Sequence, residues 1–378
     1  KKTLFWIGVL YSISAIGSAI AADPYIFSLF RFIGGLGVGA SSVAVPIYIS
    51  EISTPQNRGK LGALYQFNIV FGIFIAFISN YLLKGFDGAN DWRWMLGVEA
   101  IPAMIYSVMV LQVPNSPRWL VLNKKDDAGA LKMLTYISDR AQALVKLEEI
   151  KNSVGVKISK AGLFEGRYKK PLMLAFLIAF FNQLSGINFV LYYAPEILER
   201  AGLGGKESLF NSISIGIINL IFTLIGIQLI DRLGRKQLMK IGSLGYIASL
   251  SMVGWCFYTG ASSTLLLIFI CAFITSHAIG QGAVIWVFIS EIFPNKVRAY
   301  GQSWGTGVHW VFAAVITLIT PIFLDSTDGV FKDNPWPIFI FFAFMMVLQL
   351  FFVIFMMPET KGISLEDLEK QFTKDPSA

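Results

Sequence analysis

Ile49-Ser50-Glu51-Ile52, followed by Pro55 and Arg58, returns 240 residues later as Ile289-Ser290-Glu291-Ile292, followed by Pro294 and Arg298. In both copies the arginine stands seven positions after the glutamate, and a long apolar segment runs into the phrase. That period is far too long for a solenoid unit. It predicts two homologous halves of a membrane protein, with a site between them. A second echo agrees: Val113-Pro114-Asn115-Ser116-Pro117 and Met357-Pro358-Glu359-Thr360 end long apolar segments 244 residues apart.

Composition sets the class. Hydrophobic residues make up 55% of the chain and charged residues 15%, with a mean hydropathy of +0.62. So little charge over 378 residues points to an all-α polytopic membrane protein. Ten stretches are long enough to cross a bilayer as helices: Thr3–Ala22, Tyr25–Ser50, Leu61–Leu83, Trp94–Val113, Pro171–Leu198, Leu209–Ile230, Leu238–Tyr258, Thr264–Ser290, Ser303–Leu324 and Trp336–Met357. The alternating pattern of a membrane β-barrel is missing. Six spans lie between Pro114 and Pro358, whereas four precede Pro114. If the halves match, two helices are missing from the front. The chain opens on Lys1, and we read it as a fragment that starts in the loop after a lost second helix.

The net charge of +7 is topological. When alternate loops are assigned to one side, beginning with Lys1 and Lys2, that side holds 25 of the 31 Lys and Arg residues. This positive-inside bias predicts that both ends and residues 114–170 are cytoplasmic, with no nucleic-acid partner needed to explain the charge. The expected organisation is an N-terminal bundle over 1–113, a cytoplasmic helical linker over 114–170, a C-terminal bundle over 171–357 and a cytoplasmic tail over 358–378. In the linker, Ala130, Leu131, Leu134, Ile137, Ala141, Leu144, Val145 and Leu147 recur at helical spacing and predict short amphipathic helices. Cys256 and Cys271 lack metal or disulfide spacing and read as packing residues, as does His277. Neither a metal nor a cofactor is expected. The glycine run Gly34-Gly35-Leu36-Gly37-Val38-Gly39 has neither the Lys-Ser/Thr nor the preceding strand of a phosphate loop, and predicts close helix packing.

Two groups of residues carry chemistry. Asp231-Arg232-Leu233-Gly234-Arg235-Lys236 is a tight charged turn between spans. With Glu51, Arg58, Glu291, Arg298 and Glu359 at other span ends, it offers complementary signs for a cytoplasmic latch. Exposed pairs of this kind are worth only about 0–1 kcal/mol each, which suits an easily reversed equilibrium. The second group is Asn182-Gln183-Leu184-Ser185-Gly186-Ile187-Asn188, which interrupts an apolar helix ahead of Tyr192 and Tyr193. Amides and a glycine at that depth break a helix and turn hydrogen-bonding groups to a cavity. Amides both donate and accept, as sugar hydroxyls do, and Trp286 offers a face for stacking. Arg31 and Glu99 are charges within or near spans, where charge usually has a functional reason.

Together these phrases resemble the sugar porter family of the major facilitator superfamily. The resemblance rests on Pro46 to Glu51 with Arg58-Gly59, Pro114 to Leu120, Gln183 to Asn188, Asp231 to Lys236, and Pro358-Glu359-Thr360-Lys361-Gly362. It implies two six-helix bundles, with the ten spans as helices three to twelve. It implies sugar binding by Gln66, Asn182, Gln183, Asn188, Asn219, Trp286, His309 and Trp310, with Tyr192 and Tyr193 as an outer gate. Arg31 resembles an arginine that pairs with a first-helix aspartate in proton symporters, and Glu99 resembles an acidic position of the bacterial proton-coupled xylose porter. Three departures stand out: Asn182 replaces a second glutamine, His309 an asparagine and Asn115 a glutamate. The resemblance implies alternating-access transport of a hexose or pentose with protons, by a monomer embedded in the lipid of the plasma (cell inner) membrane. A facilitative uniporter and a non-transporting sugar sensor are the alternatives. The spans carry no nucleophile–base set, so an enzyme is not expected.

Overall fold

The computed structural model describes residues 1–53, 58–152, 162–164, 166–294, 297–325 and 328–362, with the side chains of Ser50 and of residues 58–63 outside that description. Among the described residues the regular structure is helical, without strands. Ten helical stretches are long and apolar enough to cross a membrane. Each overlaps one span expected from the sequence. The chain divides into two compact units, Lys1–Ile69 with Ser79–Ile158, and Val70–Ile78 with Ser159–Ala378.

In the first unit, α1 (Lys2–Ile20) and α2 (Pro24–Ile52) are long spans, α3 (Arg58–Leu83) belongs to it except for Val70–Ile78, and α4 (Asp91–Gly97) and α5 (Ala100–Gln112) form one more. Helix α2 starts on Asp23, whose carboxylate accepts the amides of Tyr25 and Ile26 at 2.8 and 3.0 Å, with Pro24 in the first turn. These are the groups a helix start leaves unpaired. Half of the glycine run packs closely: a Cβ on Gly34 would meet the Ser14 hydroxyl and one on Gly37 the Tyr11 ring, while Gly35 and Gly39 face open space. Small residues let membrane helices approach where no water-driven force brings them together.

The linker folds onto this unit as α6 (Asp127–Ile137) and α7 (Arg140–Asn152). Its core is Leu120, Val121, Ala130, Leu134, Ala143 and Leu147. The expected face of α6 holds. On α7 the phase differs: Ala143 and Leu147 are buried, whereas Leu144 and Val145 are exposed. The Tyr48 hydroxyl donates to the Pro114 carbonyl at 2.8 Å and Lys146 Nζ to the Ser53 carbonyl at 3.4 Å, tying the linker to the end of α2.

The second unit contains α8 (Lys169–Gln183), α9 (Ile187–Tyr192), α10 (Ala194–Arg200), α11 (Gly205–Leu233), α12 (Arg235–Thr259), α13 (Ser263–Ile279), α14 (Gln281–Glu291), α15 (Arg298–Leu324) and α16 (Trp336–Phe355). Two of its spans are discontinuous. The span over Pro171–Leu198 breaks at Leu184–Gly186, within the amide and glycine run that predicts an interruption, where Gly186 has φ +80°, and again at Tyr193. The span expected over Thr264–Ser290 breaks at Gly280. There a Cβ would stand 2.8 Å from the Gly242 Cα, so only glycine permits the contact with α12. Broken spans expose backbone groups and side-chain amides at membrane depth, which is tolerated only inside protein or against a polar cavity.

Candidate functional site

The break between α8 and α9 gathers the amides. Asn188 Nδ2 donates to Gln183 Oε1 at 2.8 Å, and Gln183 Nε2 donates to Asn182 Oδ1 at 3.1 Å. The same Gln183 nitrogen lies 3.1 Å from both ring nitrogens of His309 on α15. Ser185 Oγ closes the turn onto the Asn182 carbonyl at 2.6 Å. The His309 ring lies between two indoles, with centroids 5.0 Å from Trp286 and 5.1 Å from Trp310. The indole nitrogen of Trp310 is buried without a hydrogen-bond partner among the described residues. Six of the expected sugar ligands, Asn182, Gln183, Asn188, Trp286, His309 and Trp310, therefore form one amide–aromatic group.

Two further candidates remain. Asn219 on α11 is buried and accepts from Thr223 Oγ1 at 3.5 Å. Gln66 is in the first unit, and its side-chain oxygen is buried without a partner among the described residues. Of the gate pair, Tyr192 is exposed, while Tyr193 donates to the Thr317 carbonyl at 3.3 Å. Sequence reading missed Ser243, Tyr246, Gln281 and Gln349, polar residues buried behind the amide group. Their signal was present as lone polar residues within apolar spans.

At the end of the second unit the charged turn makes a dense network. Arg235 holds Glu291 in a two-pronged pair, Nη2 to Oε1 at 2.7 Å and Nε to Oε2 at 3.1 Å. Glu291 also accepts from Thr360 Oγ1 at 2.6 Å. Glu359 Oε1 accepts the Arg235 amide at 2.9 Å and Oε2 the Lys236 amide at 3.0 Å, capping the start of α12. Burial alone would raise the Glu359 carboxyl, but backbone N–H groups of Lys361, Arg235, Lys236 and Thr360 outweigh it and hold it below its ordinary value. Lys361 Nζ donates to the Arg232 carbonyl at 2.7 Å.

Of the expected latch residues, Glu291 pairs with Arg235, and Arg298 Nε donates to the Phe293 carbonyl at 3.3 Å. The central pair is also largely shielded, with the Arg235 side chain 11% exposed, so the weak-surface-pair estimate does not apply to it. Asp231, 83% exposed and 3.8 Å from Arg235, is the weak member. Glu51 ends α2, and the side chain of Arg58 lies outside the described residues, as does Pro55. Arg31 and Glu99, singled out separately, meet within the first unit at 3.5 Å.

The family model described as "Sugar (and other) transporter" matches residues 1–372. The chain belongs to the sugar transporter family. It is 35% identical over 385 residues to the arabinose-proton symporter of Bacillus subtilis, covering 99% of this chain and 81% of that protein. It is 33% identical to the D-xylose-proton symporter of Escherichia coli, covering 96% and 78%. Among solved structures, the proton:xylose symporter XylE bound to 6-bromo-6-deoxy-D-glucose matches with a TM-score of 0.82 at 31% identity, over 98% of this chain and 83% of that one. The inward open xylose transporter XylE from E. coli matches with a TM-score of 0.81. The protein is thus an integral membrane sugar transporter of the major facilitator superfamily, and not an enzyme.

Proposed function

We propose that this protein is a proton-coupled symporter of a pentose or hexose, bound at the amide–aromatic group of the second unit. The observation that carries the sugar reading is the cluster of Gln183, Asn188 and His309 beside Trp286 and Trp310. Amides pair with hydroxyls in both senses and an indole covers an apolar sugar face. Asn182 supports Gln183, and Gln66 and Asn219 are further sugar ligands in this reading. Tyr192 and Tyr193 follow the broken helix and serve as its gate.

Proton coupling rests on Arg31 and Glu99. A charge pair in a span is costly and marks proton or ion pathways. A proton taken by Glu99 ends its pairing with Arg31, so occupancy by a proton changes the contacts that α2 makes with the start of α5. The same coupling is in the names of the arabinose and xylose relatives. The positive-inside bias supports a cytoplasmic location for both ends and for the charged turn, in the cell's inner membrane, with the protein acting as a monomer. Sugar uptake into proteoliposomes tests this reading. An inwardly directed proton gradient is expected to drive accumulation and a protonophore to abolish it. Uptake indifferent to both would leave a facilitative uniporter.

A further inference from the structure

Behind the amide group lies a row of polar side chains that bridges α12, α16, α14 and the end of α8. Ser243, Gln349 and Gln281 are fully buried, and Asn182 nearly so. A buried amide is costly unless its donors and acceptor are matched, and here the matches run on from residue to residue. Ser243 Oγ donates to the Met239 carbonyl at 2.7 Å and accepts from Gln349 Nε2 at 2.8 Å. Gln349 Oε1 accepts from Gln281 Nε2, and Gln281 Oε1 accepts from Asn182 Nδ2 at 3.2 Å and from the Tyr246 hydroxyl at 3.4 Å. Asn182 Oδ1 then accepts from Gln183, whose own oxygen accepts from Asn188.

Every link has the same sense. A backbone carbonyl only accepts, so it takes the one proton of Ser243 and leaves that hydroxyl to receive the Gln349 amide. Gln349 must then turn its oxygen to Gln281, and the constraint passes through Gln281 and Asn182 to Gln183. Reversing any single amide would set NH₂ against NH₂ on one side and oxygen against oxygen on the other. We propose that this row fixes the donor–acceptor polarity of the sugar site, with Ser243, Gln349 and Gln281 as positioning residues that act through Asn182 and Gln183. A sugar hydroxyl meeting Gln183 Oε1 must then donate, and the row selects substrates by the sense of that hydrogen bond. This inference rests on the sugar-transport reading of the site.

The test is counterflow in proteoliposomes with labelled D-xylose, L-arabinose, D-glucose and D-galactose, and competition by their monodeoxy analogues. Ser243→Ala removes one hydroxyl from the row. Ser249→Ala removes a buried hydroxyl of the same helix that, among the described residues, bonds to the Gly245 and Tyr246 carbonyls alone. For Ser243→Ala the half-saturating sugar concentration is expected to rise about tenfold, as for a buried amide left unmatched, and the penalty for one deoxy position to shrink. The maximal rate should stay within about twofold, and Ser249→Ala should change neither affinity nor deoxy profile. Wild-type affinity and deoxy profile in Ser243→Ala would overturn the proposal. If that variant is not monodisperse, Gln349→Met gives the same two readouts with the same expected changes. Wild-type protein that moves none of the four sugars would overturn the transport reading itself, and this inference with it.

Discussion

Replacing Glu291 by glutamine keeps the shape of the side chain and removes its charge. Arg235 would retain one neutral acceptor in place of a two-pronged carboxylate at 2.7 and 3.1 Å. Its side chain is 11% exposed, so water does little to replace the lost charge. Asp231 cannot take over, because it stands 3.8 Å away and is mostly solvated. Breaking a fully buried pair costs about 3–5 kcal/mol. Glu291 keeps 22% exposure, which screens part of that, so we expect about 2–3 kcal/mol here. For a chain of this size that lowers the melting temperature by about 2.5–4 °C.

The assay is thermal unfolding of the purified protein in detergent, read by tryptophan fluorescence and by loss of the monodisperse peak. Asp231→Asn is the control, expected to cost under about 0.5 kcal/mol. Glu291→Leu combined with Arg235→Met should be more stable than Glu291→Gln alone, since no buried charge is left unpaired. If Glu291→Gln costs no more than Asp231→Asn, the Arg235 pair is not the shielded contact argued above.

Three further predictions follow from the same structure. The carboxyl of Glu359 is depressed in the fold, so its stabilising contribution is complete above the ordinary value of 4.5 and is lost as pH falls through the folded value; melting temperature against pH should show that acid limb, and Glu359→Gln should flatten it. Gly186→Ala forces a left-handed residue to carry a Cβ 2.6 Å from the Phe342 ring, costing about 1–2 kcal/mol for the backbone alone, and both stability and sugar affinity should fall. Glu99→Gln should abolish proton-driven accumulation while counterflow of sugar persists, and accumulation that survives would remove Glu99 from the coupling step.

Much of the fold was legible because a bilayer leaves few choices. Span lengths, loop charges and the twice-used Ile-Ser-Glu-Ile phrase are one-dimensional signals, and they located all ten spans. The break after Gln183 was legible because amides and Gly186 stand together in an apolar run. The break at Gly280 was not, since Ile279-Gly280-Gln281-Gly282 holds one polar residue among small and apolar ones. What requires glycine at that break is Gly242, on a different helix, and no local pattern records a neighbour. The phase of α7 failed for a related reason. Leu144, Val145 and Leu147 cannot share one narrow face at 100° per residue, and the partner chosen by the fold takes Ala143 and Leu147.

The amides show the same limit at the scale of a site. Asn182 and Gln183 are adjacent, and on a helix adjacent side chains diverge by about 100°, so they cannot both look the same way. The structure separates them: Gln183 meets His309 and Asn188, while Asn182 turns to Gln281. Sequence alone treats the pair as equivalent cavity-lining groups. In the fold one is matched to the aromatic side and the other to the buried row, so their replacements should part company. Gln183→Ala unpairs Asn182 Oδ1 and Asn188 Nδ2 beside the site, and sugar affinity should fall with a smaller loss of stability. Asn182→Ala leaves Gln281 Oε1 with only the longer Tyr246 bond at 3.4 Å and takes the Asn182 acceptor from Gln183 Nε2, and should lose affinity and about 1–3 kcal/mol of stability together. Equal melting temperatures for the two variants would refute this division of labour.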